Sequence, residues 1–360
     1  MKDAIYQEAL NASAYDKDLI VSPVTDGLIN HTYKITIKSS GYKYLLQCIN
    51  RFVFTDPEKV QHNYEKIWSY LEERKTTENN VTLVKIPEPL HFLDHSYLFC
   101  DNQMQYWRMT EFIDNAVTIH HVENISQARK VAHTFASLTK SFEFYDLQNL
   151  HIPIPGFHDL SFRFRQFKQS LHSRMYDRLL KSSSIIDQLK KREHYVSFFE
   201  IMTESAAFKK RLMHHDAKIS NILFDDETGH VICPVDFDTC MPGYFFSDLG
   251  DMIRSMACSE PESGNNYNNF IIRKDIYENI VDSYLEVLFS LLTDAEKKYI
   301  HYSGLLIIYM QALRFLSDYL NGDLYYKIDY PEHNFNRTMN QLTVLQKLEE
   351  FLFTNYQFKI

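Results

Sequence analysis

The stretch LMHHDAKISNILFDDETGHVICPVDFD, residues 212–238, constrains this chain more than any other feature because it sets many polar side chains among apolar ones. Four polar residues in it have the spacing H-x-D-x-K-x-x-N: His214, Asp216, Lys218 and Asn221. ILF then predicts a short strand, DDETG a turn and VICPVDFD a second strand. We expect this hairpin to return Asp236 to the loop, so that Asp216, Asn221 and Asp236 converge.

Phosphoryl transfer needs the groups that this loop and hairpin supply. A carboxylate orients the acceptor hydroxyl and takes its proton, oxygen ligands hold Mg²⁺ against the phosphates, and a cation offsets the charge on the transferred group. We assign Asp216 as the base, Lys218 as the charge stabiliser, and Asn221 and Asp236 as the metal ligands. The alternative is a turn whose Asp and Asn side chains only cap backbone groups.

Composition excludes several other classes of function. The net charge of −9 argues against a nucleic-acid surface, because phosphate binding needs a basic face. The chain has only 9 glycines and contains neither GxxxxGK[ST] nor GxGxxG, so a nucleotide site must be built in another way.

The location of the protein is also constrained by sequence. The first residues show no secretory signal, and the longest apolar run, 304–313, is too short to span a bilayer and contains Gln311. The five cysteines are scattered without a CxxC pair, which is typical of reduced thiols. We therefore expect a cytoplasmic protein with neither membrane nor nucleic-acid partners.

Strand patterns dominate the first third of the chain and helical patterns the rest. TYKITIK (32–38) and YKYLLQCI (42–49) flank the turn SSG and predict a hairpin. Thr55 and Glu58 form a capping-box pattern that opens a helix. Further helices are expected in four places: 125–142, 181–204, from a second capping box at 293–296 towards Tyr319, and 336–352.

This layout predicts an α+β fold with two lobes. The smaller lobe, residues 1–114, is rich in strands and is expected to bind the nucleotide. The larger lobe, residues 115–360, is mostly helical and carries the polar loop, so we expect it to be the catalytic and substrate-binding lobe. A chain of 360 residues is long enough for each lobe to have its own core.

The H-x-D-x-K-x-x-N loop followed by D-F-x resembles the protein-kinase-like fold, in the short form of the aminoglycoside phosphotransferase and choline kinase superfamily. Five segments further resemble N-acetylhexosamine 1-kinases: HHDAKISNILFD (214–225), VDFDTCMPGYFFSDLGDMIR (235–254), YLLQCINRFVFTDP (44–57), RFLSDYLNGDLYYKI (314–328) and GLINHTY (27–33). The resemblance is spread over most of the chain. It implies phosphorylation of the anomeric hydroxyl of an N-acetylhexosamine by ATP and Mg²⁺, in a monomer or homodimer.

The resemblance gives Asp216, Asn221 and Asp236 the roles already assigned. It also implies nucleotide contacts from five residues, the last two within the hinge MTEFI (109–113): Gly27, Asn30, Gln47, Glu111 and Ile113. It implies that Asp248 of SDLGD braces the catalytic loop, with His214 as further support; a helix N-cap is the alternative for Asp248. It implies sugar contacts from two more residues, Arg314 and Tyr325, for which an ion pair and core packing are the respective alternatives.

Several positions depart from the pattern of these kinases. Leu28 stands where they carry His, and Cys48 follows Gln47 where they often show Gln-Arg. No strand lysine for the phosphates is evident, although Lys43 and Arg51 are near. Asp238 either assists the metal or caps its turn. The alternatives are therefore a kinase for an amino alcohol, homoserine or an aminoglycoside, and a catalytically weak nucleotide-binding module.

Overall fold

The computed structural model of the chain describes residues 6–13, 18–24, 29–77, 83–262, 264 and 266–360. The chain divides into two compact units. The first consists of Met1–Val117, Phe144–Pro155 and Leu223–Pro242, and the second of Thr118–Glu143, Gly156–Ile222 and Gly243–Ile360. The simpler division at residue 114 stays a prediction.

The strands, in chain order, are β1 (Leu19–Val24), β2 (His31–Ile37), β3 (Lys43–Cys48), β4 (Pro89–Leu90), β5 (Phe99–Cys100), β6 (Tyr106–Glu111), β7 (Ala116–Thr118), β8 (Arg211–Met213), β9 (Ile222–Asp225), β10 (Val231–Pro234) and β11 (Met241–Gly243). The helices are α1 (Gln7–Ser13), α2 (Pro57–Thr77), α3 (Ile125–Ser141), α4 (Leu160–Ser170), α5 (Tyr176–Lys181), α6 (Ser183–Lys190), α7 (His194–Glu204), α8 (Phe246–Met256), α9 (Lys274–Leu288), α10 (Asp294–Lys298), α11 (Tyr302–Leu320) and α12 (His333–Tyr356).

The first unit is built on an antiparallel sheet with the order β1-β2-β3-β6-β4, in which β5 also pairs with β6. Side chains alternate between its two faces. One face packs Ile35, Leu46, Trp107 and Met109 into a buried core. The opposite face carries Gln47 and Arg108, which lie directly across from each other on β3 and β6. The predicted hairpin of β2 and β3 is therefore confirmed.

The predicted helix after the hairpin is α2, but its cap is one residue later than the sequence pattern indicated. The Asp56 carboxylate, not the Thr55 hydroxyl, accepts a hydrogen bond, at 3.2 Å, from the backbone N–H of Lys59. Pro57 takes the first helical position, where its missing N–H costs nothing. The Thr55 prediction was wrong because Pro57 fixes where the helix starts.

The second unit is helical and is centred on α11, which is buried over nearly its whole length. Helices α4, α8 and α12 pack against α11, and α3 packs against α9. Gly250 permits the close approach of α8, because a Cβ there would lie 2.3 Å from the Ser303 carbonyl oxygen. The unit therefore has its own core of large apolar side chains.

Helices expected at 125–142 and 336–352 are present as α3 and the longer α12. Two other expectations were wrong. The region 181–204 contains the end of α5 and then α6 and α7, rather than one helix. The capping box at Thr293 and Glu296 is present, but its helix ends at Lys298 and α11 begins separately at Tyr302. Among the described residues, no helix is long and apolar enough to cross a membrane.

Candidate active site

The catalytic-loop candidates Asp216, Lys218 and Asn221 lie together in the second unit. The Asp216 Oδ2 atom is 2.8 Å from the Lys218 ammonium nitrogen and accepts a hydrogen bond, also 2.8 Å, from the Asn221 amide. The same amide donates to the Asp216 backbone carbonyl at 2.8 Å. Asn221 therefore closes the loop onto Asp216 and fixes the carboxylate.

These contacts determine the charge on Asp216. Burial raises the pKa of its carboxyl, but the Lys218 ammonium and the hydrogen bonds from Lys218 and Asn221 outweigh burial and lower the pKa below its ordinary 3.8. Asp216 is consequently ionised at neutral pH. Its Oδ2 atom is occupied by Lys218 and Asn221. No partner of Oδ1 is found in the described part of the chain, which leaves this oxygen for an incoming donor.

The orientation of Asn221 suits a metal ligand. Because its amide nitrogen donates both hydrogen bonds to Asp216, its carbonyl oxygen points the other way. A neutral carbonyl oxygen is a ligand that Mg²⁺ accepts, and it adds no repulsion beside an ionised carboxylate. The donor chemistry of Asn221 therefore fits a Mg²⁺ ion.

Asp248 braces the loop that precedes Asp216. Its two carboxylate oxygens accept hydrogen bonds from the backbone N–H groups of His214 and His215, at 2.9 and 2.8 Å. Asp248 is almost fully buried, and burial raises its pKa to about 7 although both N–H groups act in the opposite direction. The N-cap of α8 is Phe245, so capping is not the role of Asp248.

Tight packing holds the two histidines of this loop. His214 is fully buried, edge-to-face with Phe135 at 5.0 Å. His215 has a left-handed backbone, with φ of 65°. A Cβ atom on Gly243 would lie 2.4 Å from the His215 Nε2 atom, so only glycine leaves room for this ring. The strained position of His215 is therefore maintained by its surroundings.

Arg314 and Tyr325 also lie together in the second unit. The Arg314 guanidinium is 5.8 Å from the centre of the Tyr325 ring. Asp318 fixes the turn that carries this tyrosine, because its carboxylate accepts hydrogen bonds, at 2.8 to 2.9 Å, from the backbone N–H groups of 324–326. The Tyr325 side chain remains 39% exposed, so it is not a core residue. Arg314 forms no ion pair within the described part of the chain.

In the first unit, Asp236 follows strand β10 and begins the turn of the D-F-D sequence. Its backbone is left-handed, with φ of 66°, which is uncommon for a residue other than glycine. The next residue, Phe237, stacks on Tyr64 of α2 with ring centres 5.5 Å apart. The turn is thereby anchored directly after Asp236.

Asp238 is held inside the first unit. Its Oδ1 atom lies 2.5 Å from the Arg108 guanidinium, and its Oδ2 atom accepts a hydrogen bond of 2.7 Å from Asn30. Both carboxylate oxygens are therefore engaged by protein groups. This arrangement favours the turn-stabilising role for Asp238 over that of a metal ligand.

Two predicted nucleotide contacts belong to the same hydrogen-bond network. Gln47 accepts a bond of 2.8 Å from the Arg108 Nε atom and donates one of 2.9 Å to Thr32. The side-chain Oδ1 atom of Asn30 accepts a hydrogen bond of 2.9 Å from the backbone N–H of Asn50. The amides of Asn30 and Gln47 therefore have internal partners, and their contacts with a nucleotide stay predictions.

Three further positions concern the phosphate-binding strand lysine that is not evident in the sequence. Cys48 points into the core of the sheet, where burial raises the pKa of its thiol to about 12. Its place as the position that lacks a cation stays a prediction. Lys43 pairs with Asp114 at the protein surface, and Arg51 donates to the Met104 carbonyl at 2.8 Å. Among the described residues, Arg108 is the buried cation of this sheet.

Of the remaining nucleotide-binding candidates, Glu111 and Ile113 belong to the described residues. Glu111 ends strand β6, and its backbone N–H donates to the Glu88 carbonyl at 2.8 Å. Ile113 follows the strand in an irregular segment. Gly27 and Leu28 lie outside the described residues.

Arg108, Asp251 and Arg163 were not singled out from the sequence. Arg108 stands in YWRMTE between the core residues Trp107 and Met109, and a charge at the centre of an apolar strand is the signal that marks it. Asp251, on α8 with Asp248, is almost fully buried and is 2.7 Å from the Arg254 guanidinium. Arg163 carries no such signal, because α4 contains other basic residues.

Comparison with known proteins gives one family and one fold. The sequence model of the phosphotransferase enzyme family matches residues 20–271. An aminoglycoside phosphotransferase from Alicyclobacillus acidocaldarius has a similar structure, with a TM-score of 0.60 and 13% identity over 97% of this chain and 94% of that one. A choline kinase from Cryptosporidium parvum is similar with a TM-score of 0.54 and 16% identity, over 98% of this chain and 97% of that one. A microcompartment-associated aminopropanol kinase is similar with a TM-score of 0.58 and 15% identity, over 98% of each chain. The predicted protein-kinase-like α+β fold is therefore confirmed.

Proposed function

We propose that this chain transfers the γ-phosphoryl group of ATP to the anomeric hydroxyl of an N-acetylhexosamine. The starting point is that the chain belongs to the phosphotransferase enzyme family and is therefore a small-molecule kinase. The observation that carries the chemistry is the geometry at Asp216, which is ionised and fixed by Lys218 and Asn221. The sugar specificity is supported by sequence resemblance and by the exposed pair Arg314 and Tyr325.

In this proposal Asp216 positions the acceptor hydroxyl and takes its proton. Because Lys218 and Asn221 occupy Oδ2, the acceptor hydroxyl donates to Oδ1. A carboxylate with a lowered pKa is a weak base, so it accepts the proton late, when the bond to phosphorus is already forming. Most of the rate then comes from positioning and from electrostatic stabilisation of the transferred group.

Charge on the phosphates needs separate compensation. Lys218 supplies one positive charge beside the reacting carboxylate. We assign Asn221 and Asp236 as the residues that would hold Mg²⁺, which when bound neutralises phosphate charge. Asp238 is left out of this set, because Arg108 and Asn30 occupy both of its oxygens.

We assign nucleotide binding to residues 1–114 and catalysis with acceptor binding to residues 115–360. Glu111 and Ile113 contact adenine through their backbones, and Gly27, Asn30 and Gln47 complete the nucleotide site. A cytoplasmic location is part of the proposal and is supported by five free cysteine thiols. We assign no partner beyond ATP and the sugar, in a monomer or homodimer.

An amine-bearing acceptor is the second candidate. Similar structures are described as choline, ethanolamine and aminopropanol kinases. The specific observation in its favour is Asp251, whose buried Oδ2 atom has no hydrogen-bond partner among the described residues. A carboxylate of this kind is the group that would bind an ammonium.

ADP release with ATP and Mg²⁺ tests the proposal against a panel of acceptors. The panel contains N-acetylglucosamine, N-acetylgalactosamine, glucose, choline, homoserine and kanamycin. We expect saturable turnover on an N-acetylhexosamine, abolished by Asp216→Asn. Turnover on choline, homoserine or kanamycin alone would instead support the second candidate, a kinase for an amine-bearing acceptor.

A further inference from the structure

The Asn30 side chain joins two parts of the first unit that are 208 positions apart in the chain. Its amide nitrogen donates a hydrogen bond of 2.7 Å to the Asp238 Oδ2 atom, and its Oδ1 atom accepts one of 2.9 Å from the Asn50 backbone N–H. A backbone N–H can only donate and a carboxylate can only accept. Both bonds therefore require the same single orientation of the Asn30 amide.

Asn50 holds the neighbouring residue of the same segment. Its amide nitrogen donates a hydrogen bond of 3.1 Å to the Ile29 carbonyl, and its Oδ1 atom accepts one of 3.0 Å from the Phe52 backbone N–H. We call residues 27–30 the nucleotide segment, because Gly27 and Asn30 are assigned to the nucleotide site; residues 29 and 30 are its described end. Three hydrogen bonds thus fix this end directly before β2.

The D-F-D turn on the other side of the Asn30 bond is itself firmly anchored. Asn63, fully buried on α2, donates a hydrogen bond of 2.9 Å to the Cys240 carbonyl at the end of the turn. Asp238 is 1% exposed and is paired with Arg108 of β6. The turn is therefore held by both a helix and a strand, so the bond from Asn30 ties the nucleotide segment to a fixed body.

The nucleotide segment has no comparable apolar anchor at its described end. Ile29 is 43% exposed, and Asn30 is only partly buried. A segment with little buried apolar surface keeps one conformation through its hydrogen bonds, and it opens easily when these are lost. The bonds from Asn30 and Asn50 are consequently what determines the position of this segment.

We propose that Asp238 is a positioning residue for ATP: through Asn30 it holds the nucleotide segment in the conformation that binds the nucleotide. A segment that is already ordered does not have to be ordered at the expense of binding free energy, so ATP binds more tightly. Asp238 thereby acts on the nucleotide without being a ligand of the metal. The proposal rests on the ATP use of the proposed function and is independent of the identity of the acceptor.

Titration with ATP in EDTA, followed by calorimetry, measures this role without metal and without turnover. Asn30→Ala removes both of its hydrogen bonds and leaves the pair of Arg108 and Asp238 intact. Asn30→Asp in addition places a second carboxylate against that of Asp238. We expect Asn30→Ala to raise the Kd for ATP by at least about tenfold and Asn30→Asp to raise it further. In ADP release the KM for ATP should rise with it, and the KM for the acceptor should not.

Exchanging the two side chains tests whether the bond itself is responsible. In the double variant Asn30→Asp with Asp238→Asn, the donor and the acceptor trade places and the hydrogen bond can form again. We expect this variant to bind ATP more tightly than Asn30→Asp alone, since coupled residues are not additive. A direct contact between Asn30 and ATP predicts no such recovery, because the exchange does not restore the amide at position 30.

Two further variants keep the test valid if Asp238→Asn fails to fold. Asn50→Ala removes the bond to the Ile29 carbonyl from the other side and should raise the Kd for ATP by a smaller factor than Asn30→Ala. Asn149→Asp adds a charge at an exposed asparagine of the same unit and should leave the Kd unchanged. Thermal unfolding confirms that each variant is folded at the temperature of the titration.

The outcomes separate this proposal from the sugar kinase assignment. If no sugar is phosphorylated but the Kd values follow the expected order, the assignment fails and the positioning role stands. If a sugar is phosphorylated while Asn30→Ala and Asn30→Asp bind ATP as the wild type does, the positioning role is refuted. A folded double variant that binds no more tightly than Asn30→Asp would also refute it. So would an effect of Asp238→Asn that is confined to the Mg²⁺ concentration required for turnover, since that is the behaviour of a metal ligand.

Discussion

The guanidinium of Arg108 on β6 lies 2.5 Å from the carboxylate of Asp238 in the D-F-D turn, and each side chain is at most 5% exposed. Arg108 also donates a hydrogen bond to the Gln47 side chain, and Asp238 accepts one from the Asn30 side chain. The pair thus ties the sheet of the first unit to the turn that begins with Asp236. The cation of this pair, Arg108, is buried in the sheet and engaged by protein groups.

Removing either partner of this pair should be strongly destabilising. Arg108→Met leaves Asp238 as a buried charge without its partner, and we expect a loss of about 3–5 kcal/mol in the free energy of unfolding. Urea denaturation measures this loss. Arg174→Met, at an exposed position, should change stability by no more than about 0.5 kcal/mol.

A double-mutant cycle of Arg108→Met and Asp238→Asn distinguishes a coupled pair from two independent residues. We expect the double variant to be less destabilised than the sum of the two single variants, since residues in one hydrogen-bond network are not additive. Additive losses would show that the two side chains contribute separately.

Asp216→Asn should lower kcat by several orders of magnitude while ATP binding is largely retained. The amide keeps the shape of the side chain but cannot take the acceptor proton. Steady-state kinetics and titration with ATP measure the two quantities separately. Asp226→Asn, at a turn residue outside this loop, is the control and should retain near-normal kcat. Near-normal turnover by Asp216→Asn would remove Asp216 from the role of base.

The pH dependence follows from the lowered pKa of Asp216. A carboxyl with a pKa below 3.8 is ionised at every pH above that value, so its protonation should cause no acid limb in kcat between about pH 5 and pH 8. The same shift stabilises the folded state above the pKa of the unfolded chain. That contribution is lost as pH falls through the lower folded-state pKa. A kcat profile at saturating substrates checks this, and an acid limb centred near pH 6 that is traced to Asp216 would contradict it.

Asp318→Ala should affect the acceptor rather than ATP. Without this carboxylate, the N–H groups of 324–326 lose their acceptor and Tyr325 is no longer held in place. Each lost bond costs about 1 kcal/mol. We expect a higher KM for the acceptor, an unchanged KM for ATP and a lower Tm. Asp329→Ala, which removes an exposed carboxylate nearby, should change none of these; a shared rise in both KM values for Asp318→Ala would indicate general unfolding instead.

The sequence predicted the parts of this molecule that depend on local patterns. Alternation of apolar residues identified β2 and β3, and the H-x-D-x-K-x-x-N spacing identified the loop in which Asp216, Lys218 and Asn221 meet. Spacing is enough there because the residues are neighbours in the chain.

Other features depend on burial and on partners far away in the chain. The ion pair of Arg108 with Asp238 joins residues more than a hundred positions apart, and nothing local distinguishes Arg163 from the other basic residues of α4. The helix start at Pro57 was missed by one residue because two adjacent residues, Thr55 and Asp56, can both serve as caps. Tertiary packing, rather than propensity, decides such positions.

Phosphorus NMR of the product formed from ATP, Mg²⁺ and N-acetylglucosamine tests the central claim most directly. We predict a new phosphomonoester whose phosphorus couples to the anomeric proton, absent with Asp216→Asn. A phosphate on another hydroxyl, or a product formed only from an amine-bearing acceptor, would contradict the assignment as a sugar 1-kinase.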